Sequence, residues 1–142
     1  MASITSTNAV IILSAPLLGL TAPMQGFSAD DIFNADDIDI SEDYMGLDGK
    51  LSAGFVPVAV PWSITLQADS LSNGFFEFLY NSEQLAREKF FLQGNVTLPS
   101  LPANYTMTNG ILKSYSPMAS GKKALQPRKF TIKWESVLGF SI

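Results

Sequence analysis

Trp62-Ser63-Ile64-Thr65-Leu66-Gln67 alternates apolar with polar side chains, and Phe130-Thr131-Ile132-Lys133-Trp134-Glu135 repeats the pattern. Successive side chains of an extended chain point to opposite faces, so each stretch reads as a strand with one buried row. Trp62, Ile64 and Leu66 make one such row, and Phe130, Ile132 and Trp134 the other. Residues 9–13 form a short β-branched run. Residues 38–44 alternate again, with Ile38, Ile40 and Tyr44 opposite Asp37, Asp39, Ser41 and Asp43. Residues 90–98 and 105–115 are less regular strand candidates. The pattern predicts a mainly β fold, a small sandwich or barrel of antiparallel strands.

One segment departs from this period. From Ser70 to Arg87, apolar residues fall at Leu71, Phe75, Phe78, Leu79 and Leu85, which is helical spacing. Asp69, Ser70 or Ser72 can serve as N-cap. Phe75, Phe78 and Leu79 are read as the packing face, and neighbouring Phe76 and Tyr80 imply packing on more than one side. A single flanking helix is therefore expected over about residues 70–87.

Turn chemistry separates the elements. Met45-Gly46-Leu47-Asp48-Gly49-Lys50 carries two glycines suited to positive φ, and Asp48-Gly49 is a strong turn signal. Pro99-Ser100-Leu101-Pro102 marks a second break. Residues 116–123, with Pro117, Lys122 and Lys123, are long enough for a mobile loop. With 142 residues and no internal repeat, a single domain over 1–142 is expected.

Composition removes whole classes of chemistry. The chain has no cysteine and no histidine, so it has no disulfide, no Cys- or His-based metal site and no histidine-dependent triad. Charged residues make up 15% against 46% hydrophobic, where about a quarter charged is usual, which favours burial of the outer surface against further copies. The net charge of −4 hides a division. Eight acidic residues lie from Asp30 to Asp48, and eight basic residues with one acid, Glu88, lie from Arg87 to Lys133.

The acidic segment invites sharper readings. Asp37, Asp39 and Ser41 could begin a calcium loop with Asp48 at its twelfth position, but Glu42 stands where glycine is needed. Asp37 and Asp39 could serve as a glycosidase pair, as any acidic strand could. Lys113, Lys122, Lys123, Arg128, Lys129 and Lys133, with Tyr105, Tyr115 and Trp134, could suggest nucleic-acid binding. The net negative charge argues against a DNA-coating protein. No catalytic residue, metal ligand or cofactor is expected. Residues 9–20 resemble the apolar part of a signal peptide, but no Lys or Arg precedes them and Pro16 interrupts them, so a buried first strand with no membrane anchor is the expectation.

Four segments in order resemble the phage tail tube family. They are Ser28-Ala29-Asp30-Asp31-Ile32-Phe33, Tyr44-Met45-Gly46-Leu47-Asp48-Gly49-Lys50, Ser63-Ile64-Thr65-Leu66-Gln67-Ala68-Asp69-Ser70-Leu71-Ser72-Asn73, and Phe130-Thr131-Ile132-Lys133-Trp134-Glu135. The resemblance implies a β-sandwich or barrel with one helix, six copies forming a ring, and rings stacking into a tube that conducts DNA. It implies self-association, sheath, baseplate and tail-terminator partners, transient passage of double-stranded DNA without specific binding, and a place in the virion after assembly in the host cytoplasm.

The span 46–60 would then carry inter-ring contacts through Gly46, Leu47, Asp48, Gly49, Lys50, Phe55 and Pro57. Pro117, Lys122 and Lys123 would form a second contact loop. Asp37, Asp39 and Asp43, taken to share one strand face, would line the lumen, with a solvated outer face as the other reading. A low-copy baseplate, neck or tail-end component of the same fold is the first alternative. A secreted β-sandwich binding module with residues 1–22 as its signal is the second.

Overall fold

The computed structural model describes residues 9–27 and 32–141. The segment Ser28-Ala29-Asp30-Asp31 of the family resemblance, and residues 1–8 of the signal reading, lie outside them. The β-branched run forms β1 (Val10–Ala15), which buries Ile11, Leu13 and Ala15. A turn over Pro16–Leu18 ends at Gly19, and the chain returns antiparallel as β2 (Leu20–Pro23).

After β2 the chain crosses to the far edge of the sheet. Phe27 bridges Leu66, and β3 (Phe33–Ala35) pairs with β6 (Val60–Leu66). Between β3 and β6 lies a separate ribbon, β4 (Ser41–Met45) and β5 (Leu51–Phe55). Helix α1 (Asn73–Ala86) follows, then β7 (Leu92–Leu98), β8 (Ala103–Ser114) and β9 (Arg128–Ser141). The main sheet has seven antiparallel strands in the order β2-β1-β7-β8-β9-β6-β3. Among the described residues the fold is sandwich-like, with one α-helix and no closed barrel, as the alternation implied in class.

The rows read from the sequence meet inside this sheet. Trp62, Ile64 and Leu66 of β6 face Phe130, Ile132 and Trp134 of β9, all 3% exposed or less. Ile11, Leu13, Leu92, Val96, Met107 and Leu112 complete the strand side of the core. Each fully buried side chain of this size contributes about 1.5–3 kcal/mol. β8 and β9 change course together around Asn109, whose φ is 49°. Beyond it Met107 and Val137 turn inward, and the Asn109 amide donates to Glu135 at 2.7 Å across the two strands. β9 thus runs six residues past the predicted stretch, because the bend breaks the simple alternation that would have announced it.

The helix corrects one assignment. Phe75, Phe76 and Leu79 are buried, whereas Phe78, Leu71 and Leu85 are exposed by 50%, 82% and 88%. At about 100° per residue, Phe75, Leu79, Glu83 and Phe76 fall within one arc of about 100°, and Phe78 lies about 60° outside it. Phe76 stacks on Phe130 and takes the core place expected of Phe78.

The helix begins where the sequence placed a cap, but its serines bond elsewhere. The Ser72 hydroxyl accepts from the Gln25 backbone N–H at 2.8 Å, and the Ser70 hydroxyl donates to the Gln25 carbonyl. Both serines therefore tether the crossing segment between β2 and β3 to the start of α1. Gly26 completes this latch. Its φ is +71°, and a Cβ there would come within 2.6 Å of Ser70.

Candidate functional site

The acidic segment and the glycine turn build the β4–β5 hairpin. Its register pairs Ser41 with Phe55, Asp43 with Ala53 and Met45 with Leu51. The turn is closed by Gly46 N–H to the Lys50 carbonyl at 2.8 Å and by Gly49 N–H to the Gly46 carbonyl at 3.0 Å. Asp48 accepts from the Lys50 N–H at 3.1 Å. Only Gly49 of the two glycines adopts positive φ, at 83°. The base is held by Val56 N–H to the Ile40 carbonyl and Asp36 N–H to the Pro61 carbonyl.

All ten strand residues of this hairpin are exposed. Strand alternation puts Asp43, Met45, Leu51 and Phe55 on one face, and Glu42 and Tyr44 on the other. Met45, Leu51 and Phe55 are exposed by 67%, 61% and 82%, and Leu47 at the tip is fully exposed. Two expectations are corrected here. The alternation over 38–44 has no buried face beneath Ile40 or Tyr44, because the hairpin satisfies its backbone within itself and lies apart from the main sheet. Asp37 and Asp39 precede the strand, so they do not share a strand face with Asp43. The span taken as a loop contains a strand, with Phe55 ending β5 and Pro57 in the return.

The second contact region is the loop between β8 and β9. Arg128, 5% exposed, donates to Glu77 at 2.7 Å and to the Ser116 carbonyl at 2.6 Å, and so fixes the loop base against α1. Its guanidinium also lies over the Phe130 ring, 5.2 Å from the centroid. A bridge between Gly121 and Leu125 and a bond from Gln126 N–H to the Ser120 carbonyl shape the tip. These contacts give the loop a defined shape that projects from the sheet. It presents Pro117, Met118, Lys122, Lys123 and Leu125 to solvent.

Among the described residues, ion pairs join only Lys89 to Glu83 and Arg128 to Glu77. Among those residues, neither Lys122 nor Lys123 forms an ion pair with a carboxylate, nor does any acid of the hairpin pair with a lysine or arginine. Among the described residues, no three Asp or Glu side chains cluster as a metal site. A largely apolar recess of about 360 Å³ lies among Phe33, Trp62, Val96, Leu98, Tyr105 and Met107, and no Asp, Glu, Lys or Arg lines it. No helix among the described residues is long and apolar enough to cross a membrane.

The fold is shared with parts of contractile injection machines. A chain of the anti-feeding prophage baseplate is similar at TM-score 0.61 and 9% identity, covering 99% of this chain and 97% of that one. A chain of the anti-feeding prophage cap is similar at 0.62 and 14%, covering 100% and 93%. A chain from the sheath/tube terminator of an extracellular contractile injection system is similar at 0.62 and 13%, covering 99% of both. No curated protein matches in sequence. The family model for tail fiber protein gp32 matches residues 2–138, and the chain belongs to that family. It is a tail-associated structural protein, the coarse class that the sequence resemblance implied.

Proposed function

We propose that this chain is a ring-forming structural subunit of a phage tail, stacked on further rings to build the tube, with no catalytic step of its own. The observation that carries this reading is the β4–β5 hairpin. A two-stranded ribbon is at best marginally stable alone in water, and this one exposes Met45, Leu47, Leu51 and Phe55. Such a device is explained by contact with a neighbour. Six copies per ring is the count we favour, because the baseplate that contains a similar chain is a sixfold assembly.

In such a ring Asp37 and Asp39 remain available to the channel. Duplex DNA carries one negative charge per about 1.7 Å of axis, so acidic groups there repel it and favour passage over retention. Electron microscopy of the purified full chain tests the proposal. Rings or tubes with an axial channel support it, and a monodisperse monomer at all accessible concentrations rejects it.

A second reading is a low-copy baseplate, cap or terminator component, and the similar chains from those assemblies favour it. Copy number in purified virions separates the two. A tube subunit is present in many rings per particle, a terminal component in one or a few.

A further inference from the structure

We propose that the β4–β5 hairpin of one copy seats on the 116–127 loop of a second copy. This rests on the ring-stacking reading and names the receiving surface within it. The two elements complement each other in three respects.

Both are apolar at their exposed centres. The hairpin offers Met45, Leu51 and Phe55 on one face, and the loop offers Met118 and Leu125, exposed by 80% and 65%. Burying such side chains against each other is favourable in proportion to the area removed from water. They are also opposite in charge. Asp43 shares the hairpin's apolar face and Asp48 flanks its tip, while the loop carries Lys122 and Lys123 and no acid. Among the described residues, none of these four groups has an oppositely charged partner in its own chain, which leaves opposite charge on the two elements to meet across copies. Complementary charges around an apolar contact fix register and exclude wrong pairings.

Finally, both are held in shape before contact. The turn bonds at Gly46, Asp48 and Gly49 fix the hairpin tip. Arg128 and the Gly121–Leu125 bridge fix the loop. A preformed pair loses little conformational freedom on docking.

The test is photocrosslinking from position 55. The full chain carrying benzoylphenylalanine in place of Phe55 is mixed with isotopically heavy copies and assembled, and linked peptides are identified by mass. A light–heavy link into residues 116–127 is the expected result. A light–heavy link elsewhere overturns this docking site while leaving self-assembly intact. Assembled material with no link between copies also overturns it. In intact tail particles, a link only to a different tail protein does the same. Absence of any assembly by sedimentation rejects the ring-stacking reading itself.

Charge reversal provides the independent arm. Lys122→Glu with Lys123→Glu should raise the dissociation constant for self-association by about tenfold or more, as several exposed ion pairs together allow. Adding Asp43→Lys and Asp48→Lys should restore it. Failure of the fourfold variant to recover, with unfolding curves unchanged, overturns the pairing.

Discussion

Phe76 on α1 lies face to face with Phe130 on β9, the ring centroids 4.2 Å apart and the planes within 6° of parallel. Phe75 meets Phe76 edge-on at 5.3 Å, so a short aromatic stack joins the helix to the sheet. Both stacked rings are fully buried.

Truncating this stack should be costly. Phe76→Ala is expected to lower unfolding free energy by about 3–5 kcal/mol through lost burial and the cavity left behind. Phe78→Ala, at a half-exposed position on the same helix, should cost less than about 1 kcal/mol. Urea denaturation of the two variants checks the order. Equal losses would restore Phe78 to the core.

Arg128 joins two elements that neither residue's neighbourhood in the chain would connect. Replacing it by methionine keeps the aliphatic packing but removes the bonds to Glu77 and Ser116. The expected loss is about 1.5–3 kcal/mol, the usual range for hydrogen bonds to a charged group. Local loosening should exceed the global effect. Hydrogen exchange at the Lys122 and Gln126 amides, which close the loop tip, should accelerate more than exchange in β6.

Gly26→Ala tests the latch beneath the helix. It forces a side chain into left-handed backbone and against Ser70, for a combined cost of about 2–4 kcal/mol. Gly19→Ala is the control, because its φ is +64° with nothing within 4 Å of the added Cβ. It should cost only about 1 kcal/mol, the backbone part alone. Thermal melts of both variants separate crowding from conformation.

Polar substitution on the hairpin should divide stability from assembly. Leu47→Ser with Phe55→Ser removes two exposed apolar side chains, so unfolding free energy should change by less than about 0.5 kcal/mol. Sedimentation velocity should show a marked fall in self-association. A large drop in monomer stability instead would mean that the hairpin packs on its own chain.

The core strands were legible because each buries one face against one partner. Trp62, Ile64 and Leu66 and their counterparts on β9 follow a period of two that survives folding unchanged. The same period at 38–44 signalled extended chain correctly, but periodicity does not tell whether anything covers the apolar row. Ile40 and Tyr44 therefore fooled the expectation of burial. The helix was visible in its spacing, yet two adjacent phenylalanines, Phe75 and Phe76, left its orientation undecided by about a third of a turn. The contact between Glu77 and Arg128 spans 51 residues and has no local signature. The contact surfaces were legible as turns and charges, and their shape was not, because it depends on pairing within β4–β5 and on the clasp at Arg128.

Trp62 and Trp134, the only two tryptophans in the chain, sit 6.4 Å apart in the same core, 3% and 0% exposed. Neither the hairpin nor the 116–127 loop contains one. Excited selectively, the protein therefore emits from its interior alone: its fluorescence spectrum follows denaturation and stays dark to the joining of copies. Tyr44 lies on the hairpin face away from Met45, Leu51 and Phe55, so tryptophan emission reads folding while sedimentation of the same sample reads growth.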